Sequence, residues 1–487
     1  MLNRHESPSI PLESLRRLAV ALACILMVAT AATAAENPPR PHIVYILADD
    51  LGWKDVSFHG SDIRTPSIDA LAAGGARLEQ FYTEPMCTPT RAALMTGRYP
   101  FRYGLQTAVI PSAGTYGLPT DEWLLPQALK TAGYTTAIVG KWHLGHARRE
   151  YWPRQRGFDY QYGAFLGEID YYSHSAHGTI DWFRDNQLVK EEGYVTELLG
   201  NDAVRLIENH DPHKPLFLYL AFTAPHAPYQ APKKYLDQYA GIQDPARRAY
   251  AAMITAMDDQ IARVLSALDE RGMRNETIVV FHSDNGGPRS AEFTGEVDMS
   301  KARIPCDNGP WRDGKGSVYE GGTRVVSLLN WPGHLKAGAV VDQPVHVVDM
   351  FPTLTKLAGV KPRDGKALDG LNVWPALAEG KASPRREVIY NIGPFLAGLR
   401  QDNFKLVWRV PLPSQSELFD LSTDPAEKVN LAATHPDKVA TLQQRAQQLA
   451  REGVPPLLLK EFLGAGKSGL MSSVLLPEDA KEIQEQP

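Results

Sequence analysis

Cysteine is nearly missing. Three occur in 487 residues, at positions 24, 87 and 306, which excludes a fold held together by a disulfide framework. A chain of this length can bury a large apolar core and has no need of one. An excess of one charge sign is missing too. The 51 Lys and Arg nearly balance the 56 Asp and Glu, and a net charge of −5 excludes a protein that grips nucleic acid through a broad basic face. Anionic substrates stay open, since they need only a local positive cleft. Internal repeats are absent, and no apolar run beyond residue 35 is long enough to cross a bilayer. What is present, 43% hydrophobic and 22% charged residues, is an ordinary globular composition with length for up to about three domains.

The N-terminus reads as an export signal over residues 1–35. Arg16 and Arg17 precede the apolar run Leu18 to Thr30, and Ala31-Ala32-Thr33-Ala34-Ala35 supplies small residues for cleavage. Asn37-Pro38-Pro39 then rules out a continuing helix. Ser14-Leu15-Arg16-Arg17 is loosely a twin-arginine pattern, and Ala21-Leu22-Ala23-Cys24 loosely a lipoprotein box. The mature protein is expected to be periplasmic or secreted. Cys24 leaves with the signal, so Cys87 and Cys306 either pair, stay free or carry chemistry.

Four apolar runs lack polar alternation and read as buried parallel strands: Ile43 to Leu47, Thr135 to Val139, Leu216 to Phe222 and Thr277 to Phe281. Between the last two, Tyr250, Met253, Ile254, Met257, Ile261, Val264, Leu265 and Leu268 repeat at helical spacing, with Gly272 as the stop. Alternating strands and helices predict a doubly wound α/β domain over residues 36–375. Lys381 to Arg386 reads as a linker. Strands at Val388 to Ile392, Lys405 to Arg409 and Leu418 to Leu421, then a helix from Pro436 to Arg451, predict a small antiparallel sheet with a covering helix within residues 376–487.

Reactive residues follow every predicted strand. Asp49-Asp50 ends the first, Lys141-Trp142-His143 the second, Ala224-Pro225-His226 the third and Asp284-Asn285-Gly286-Gly287 the fourth. The carboxyl ends of such strands are where ligands bind. Asp49, Asp50, Asp284 and Asn285 offer only oxygen, the donor set of calcium or magnesium rather than zinc. Each motif alone is also a turn former. Cys87 precedes Thr88-Pro89, read as N-cap and first turn of a helix, so it stands where a helix N-terminus favours anions. A lone cysteine is otherwise an inert core residue.

Cys87-Thr88-Pro89-Thr90-Arg91 with Thr96-Gly97-Arg98 resembles the signature of the formylglycine-dependent type I sulfatases, in the alkaline-phosphatase superfamily. The resemblance runs through most of the mature chain, including Gly140 to Gly145, Gly314-Lys315, Glu417 to Leu421 and Asp424-Pro425. Phe58-His59-Gly60, Arg64-Thr65-Pro66 and Asp170-Tyr171-Tyr172-Ser173-His174 are similar to the arylsulfatase B (N-acetylgalactosamine-4-sulfatase) branch, and the scarcity of cysteine suggests a bacterial relative.

The resemblance implies a large, mostly parallel mixed sheet sandwiched by helices, with a small antiparallel C-terminal domain. It implies one calcium, magnesium being second choice, on Asp49, Asp50, Asp284, Asn285 and the modified Cys87. A maturation enzyme oxidises Cys87 to formylglycine, whose hydrate attacks sulfur, forms a sulfated enzyme and then eliminates sulfate. Arg91 holds the site, Lys141 and Lys315 stabilise charge, His143 is the base for release, and His226 with Lys315 protonates the leaving alcohol. The substrate is then a sulfated saccharide or aryl sulfate. His174 is assigned to the substrate pocket; His177, His282 and His346 are read as structural. Two alternatives remain, a phosphonate or phosphodiester hydrolase of the same superfamily and a catalytically dead binder of sulfated glycans.

Overall fold

The computed structural model describes residues 40–289 and 303–464. The export signal expected over residues 1–35 and the tail beyond residue 464 lie outside the described residues. Ten strands form the large sheet: β1 His42–Ala48, β2 Ala76–Leu78, β3 Thr135–Gly140, β4 Tyr160–Gly163, β5 Phe183–Arg184, β6 Gln187–Leu188, β7 Leu216–Ala221, β8 Thr277–Ser283, β9 Ser327–Asn330 and β10 Ala339–Val341. Their order is β10-β2-β9-β8-β1-β7-β3-β4-β5-β6. The central strands β8, β1, β7, β3 and β4 are parallel, and antiparallel strands extend both edges.

All seven residues of β1 are buried, which explains its unbroken apolar run. Alternate side chains serve opposite cores: Ile43, Tyr45 and Leu47 pack on one face, Val44, Ile46 and Ala48 on the other. Each fully buried aliphatic side chain contributes about 1.5–3 kcal/mol, so a strand buried on both faces fixes its register firmly. The second face is covered by α2, Val195–Glu208, and α3, Pro245–Glu270. Asp244 caps α3 by accepting from the Arg247 amide at 3.0 Å, and Pro245 opens its first turn. The first face receives α1, Cys87–Thr96, with every residue buried.

The small sheet is wholly antiparallel: β11 Glu387–Ile392, β12 Leu396–Gln401, β13 Phe404–Arg409 and β14 Gln415–Asp420. It has one strand more than the sequence suggested, because β12 contains Gly398 and Arg400 and lacks a clear apolar run. Helix α4, Pro436–Arg451, covers it with Leu442, Ala446 and Leu449. Leu399, Leu406 and Leu418 join the same apolar cluster as Ile43 and Tyr45. Lys405 reinforces that union, its buried Nζ lying 2.8 Å from Glu320 and 2.9 Å from Glu427. The expected linker at 381–386 is pinned rather than loose: Ser383 and Arg385 are buried, and Arg385 pairs with Asp349.

Candidate active site

Parallel pairing of β8, β1, β7 and β3 aims four strand ends at one rim, and the reactive motifs meet there. Asp49 and Asp50 follow β1, Lys141 and His143 follow β3, His226 follows β7, and Asp284 and Asn285 follow β8. Ligand atoms of Asp49, Asp50, Cys87 and His226 lie within 4.8 Å of one another.

Cys87 is the first residue of α1, with Met86 at the N-cap position. This corrects the assignment of Thr88 as cap. The Thr88 hydroxyl instead donates to the His143 carbonyl at 2.9 Å and accepts from the Ile110 amide at 3.2 Å, tying two rim loops to the helix. Cys87 Sγ lies 3.5 Å from Asp49 Oδ1 and is 1% exposed. Burial, followed by the nearby Asp284 carboxylate, pushes the thiol well above its ordinary pKa. In its unmodified form it is therefore not a thiolate nucleophile. Cys306 is also free, so the two do not pair.

Arg91 reaches back from α1 with no exposed surface. Its guanidinium donates to Asp284 Oδ2 at 2.8 and 3.2 Å and to the Lys141 carbonyl at 3.1 Å. Lys141 Nζ meets Asp49 Oδ2 at 2.5 Å. Lys315 Nζ meets Asp50 Oδ2 at 2.8 Å. Three carboxylates thus face three cations. Burial nevertheless raises Asp49 to about 7, with Asp284 adding to the push and Lys141 and Arg91 opposing it. Burial acts the same way on Asp50, but Lys315 and His226 outweigh it and hold that carboxyl at about 2.

The residues fit a hard cation on a second count. Asn285 donates through Nδ2 to Asp50 Oδ1 at 2.7 Å, while its own Oδ1 is buried with no hydrogen-bond partner among the described residues. A buried amide oxygen without a partner, beside the ionised Asp50 carboxylate, fits the oxygen donor set of a hard cation. Asp284 is more committed, since Arg91 occupies its Oδ2 and the Asp50 amide lies 3.3 Å from its Oδ1.

Both histidines are held neutral. Burial, then Lys315, lowers His226 to about 3; its Nδ1 bonds the Ala227 carbonyl at 2.6 Å, which leaves Nε2 facing Lys315. Burial, then Lys141 and Arg91, lowers His143 well below its ordinary value. Its Nε2 bonds the Ile110 carbonyl at 3.1 Å, and its Nδ1 is buried without a partner among the described residues. That free lone pair suits a proton acceptor.

Cys87, His143, His226 and Lys315 floor a cavity of about 510 Å³. Sequence reasoning missed its walls, formed in part by Ile110, Leu166, Glu168 and Arg289. The usable signal for Glu168 was β4, a fifth parallel strand whose four residues were too few to stand out. His177, read as structural, also lines the cavity and pairs with Glu168 at 2.9 Å. His174 does not: it is buried, bonds the Gly193 carbonyl at 2.9 Å and stacks on Trp182, because its backbone turns away at positive φ. In the same motif, the Tyr171 hydroxyl holds the carbonyls of Thr223 and His226 at 2.7 and 2.9 Å, fixing the loop that carries His226. His282 and His346 are buried away from this cavity.

A parallel rim that joins acids, lysines and neutral histidines over a helix-start cysteine defines an alkaline-phosphatase-like hydrolase. Residues 41–360 match the sulfatase family, and residues 310–452 match the family described as N-sulphoglucosamine sulphohydrolase, C-terminal. The chain belongs to the sulfatase family and is a sulfuric ester hydrolase. It is 34% identical to arylsulfatase J of Mus musculus over 476 residues, covering 85% of this chain and 77% of the relative. It is likewise 34% identical to N-acetylgalactosamine-6-sulfatase of Mus musculus over 427 residues, covering 82% and 78%. The crystal structure of Ps i-CgsB in complex with k-i-k-neocarrahexaose superposes with a TM-score of 0.77 at 31% identity, covering 88% of this chain and 98% of that one. Among the described residues, no helix is long and apolar enough to cross a membrane.

Proposed function

We propose that this sulfatase desulfates a saccharide within a longer glycan, with N-acetylgalactosamine 4-sulfate as the first candidate unit. In this reading calcium binds at Asp49, Asp50, Asp284 and Asn285, and Cys87 is converted to formylglycine. One observation carries the reading: Cys87 Sγ stands 3.5 Å from Asp49 at the floor of the cavity, in reach of a buried oxygen set left incomplete at Asn285. The relatives support a sugar substrate. One is named for N-acetylgalactosamine 6-sulfate and another was solved with a hexaose, so the position of the sulfate is a matter for assay. Export through residues 1–35 and maturation by a formylglycine-generating enzyme belong to the same proposal.

Calcium would be held by Asp49, Asp50, Asp284 and Asn285 and would supply positive charge to the sulfate oxygens. The present thiol stands in for the oxygens of the hydrated aldehyde. Arg91, fastened to Asp284, holds residue 87 and the acids at fixed separation. Lys141 and Lys315 face charge as it develops on the transferring group. As one hydroxyl of residue 87 bonds to sulfur, its proton would pass to the Asp49 carboxylate, 3.5 Å from the present Sγ, and as the S–O bond to the alcohol breaks the Lys315–His226 pair would deliver a proton to the alcohol oxygen. His143 then accepts the proton of the second hydroxyl through Nδ1, the carbonyl re-forms, and the bond to sulfate breaks.

The test is the mass of the peptide containing residue 87 from native-host protein, where oxygen should replace sulfur with the loss of two hydrogens, the mass of an aldehyde and not of a serine. Turnover of 4-nitrophenyl sulfate should exceed that of bis(4-nitrophenyl) phosphate; a strong diester preference would favour the phosphodiesterase alternative. Cys87→Ala should lose about 10⁴-fold or more in kcat while melting like the parent. Substantial turnover by that variant would remove the covalent step.

A further inference from the structure

Beyond Met86 and Gly316, the chain neighbours of Cys87 and Lys315, a second and smaller cavity of about 80 Å³ adjoins the first. The partition between the two is backbone, since the Gly316 amide donates to the Pro85 carbonyl at 2.7 Å. Its outer wall comes from the small sheet, at the β11–β12 hairpin, where Pro394 and Phe395 line it. Phe395 is 52% exposed, an aromatic face that folding alone leaves uncovered.

Three polar atoms accompany this wall. Gln106 Oε1, Thr107 Oγ1 and Asn391 Oδ1 are buried, and none has a hydrogen-bond partner among the described residues. Orphaned acceptors of this kind are rare in folded proteins, and three around one cavity call for a ligand or ordered water. Asn391 is placed there by a register shift between Ile389 and Asn391, a bulge of the sort that re-aims side chains beside binding sites. Its Nδ2 is already spent on the Leu396 carbonyl at 2.8 Å, so the free atom is an acceptor.

The chemistry of the two cavities differs. The first is lined by Lys315, Arg289 and His226 and suits an anion. No charged residue lines the second, whose walls are apolar with neutral acceptors. An apolar face beside acceptors matches an unsulfated sugar unit, which presents C–H groups on one face and hydroxyl or amide N–H donors at its edge. A cavity of this volume takes one edge of such a ring. We propose that the cavity between Gln106–Thr107 and the Asn391–Phe395 hairpin is a subsite for an unsulfated sugar next to the sulfated one, so that the C-terminal sheet selects oligosaccharides over single sugars. This rests on the saccharide reading above.

The test compares kcat/KM for galactosamine 4- and 6-sulfate monosaccharides, for tetrasaccharides carrying the same sulfated unit beside unsulfated neighbours, and for 4-nitrophenyl sulfate. The parent enzyme should prefer a tetrasaccharide to its monosaccharide by at least about tenfold. Phe395→Ala and Thr107→Val, each checked for an unchanged melting temperature, should each cut that ratio severalfold, mainly through KM. No tetrasaccharide preference in the parent, or a ratio unmoved in both variants, overturns the subsite. Failure of the sulfatase reading looks different: 4-nitrophenyl sulfate itself would not be turned over.

Discussion

Lys315 Nζ lies 3.2 Å from His226 Nε2. Two protonated groups cannot stand so close in a buried site, and the hydrogen bonds say where the proton is. His226 Nδ1 bonds the Ala227 carbonyl, so Nε2 carries the lone pair and the ammonium of Lys315 donates to it. The Asp50 carboxylate, its Oδ2 2.8 Å from Lys315 Nζ and 3.6 Å from His226 Nε2, keeps that ammonium charged, raising it well above the ordinary lysine range despite a burial effect of opposite sign. The pair therefore holds one mobile proton at the edge of the cavity.

A proton donor matters most when the departing alcohol is a poor leaving group. Lys315→Ala and His226→Ala should each lower kcat on a sugar sulfate by about 10²–10⁴-fold. Loss on 4-nitrophenyl sulfate, whose phenolate leaves unaided, should be markedly smaller. Equal losses on both substrates would show that these residues only bind sulfate.

The orphaned Asn285 Oδ1 gives the metal site a readout independent of turnover. Calcium at 100 times its Kd should stabilise the parent by about 2.7 kcal/mol, seen as a raised melting temperature after chelator-treated protein is reloaded. Asn285→Ala should need much more calcium for the same shift. An identical calcium response in parent and variant would take Asn285 out of the cation shell.

How much of this was legible in the sequence follows from the physics of each element. β1, β3, β7 and β8 could be read because burial on both faces forbids polar residues, and their ends delivered the acids, Lys141 and both histidines, whereas Lys315, on a glycine-rich loop, was legible only through the family resemblance. Helix α4, expected from Pro436 to about Arg451, spans those residues, since Pro436 opens it and Gly453 and Pro455 stop it. Short outer strands such as β2, β5 and β6, with two or three residues each, carry no periodicity to read. The cavity walls were hidden for another reason. Glu168, His177 and Arg289 sit on loops whose approach to Lys315 depends on tertiary packing alone. Thr88 misled because its local pattern favours an N-cap, while the fold uses its hydroxyl to hold the His143 loop.

Lys405 makes the union of the two sheets testable. Its ammonium is fully buried between Glu320 and Glu427, and Glu320 also accepts from the Tyr82 hydroxyl at 2.9 Å. Lys405→Met keeps the length of the side chain but leaves Glu427 without its cation and Glu320 with Arg324 alone, 3.5 Å away. Breaking a buried pair from one side costs about 3–5 kcal/mol, and urea unfolding should show a loss of that order. Because Lys405, Glu320 and Glu427 do not line the cavity, kcat of the folded fraction should stay near the parent value. A stability change below about 1 kcal/mol would mean that the carboxyls are protonated or hydrated in the fold.

Buried neutral histidines set the acid limit of the fold. Burial, aided by His210, lowers His42 to about 4, and burial lowers His146 to about 4. The His42 Nδ1 accepts from the Leu216 amide at 3.1 Å, so a proton there would turn an acceptor into a donor facing a donor. Above the ordinary histidine pKa of about 6.5 neither folded nor unfolded chain carries these protons, and stability is unaffected. Between about 6.5 and 4 the unfolded chain takes them up and the folded chain refuses, so stability falls as pH falls. Below about 4 both states are protonated and the loss is complete. His42→Asn with His146→Gln keeps an acceptor at the first position and a donor at the second, without the titration. In chelator throughout, the urea midpoint of the double variant should fall less steeply from pH 6.5 to 4 than that of the parent. Parallel slopes would show that both rings already carry protons in the folded protein.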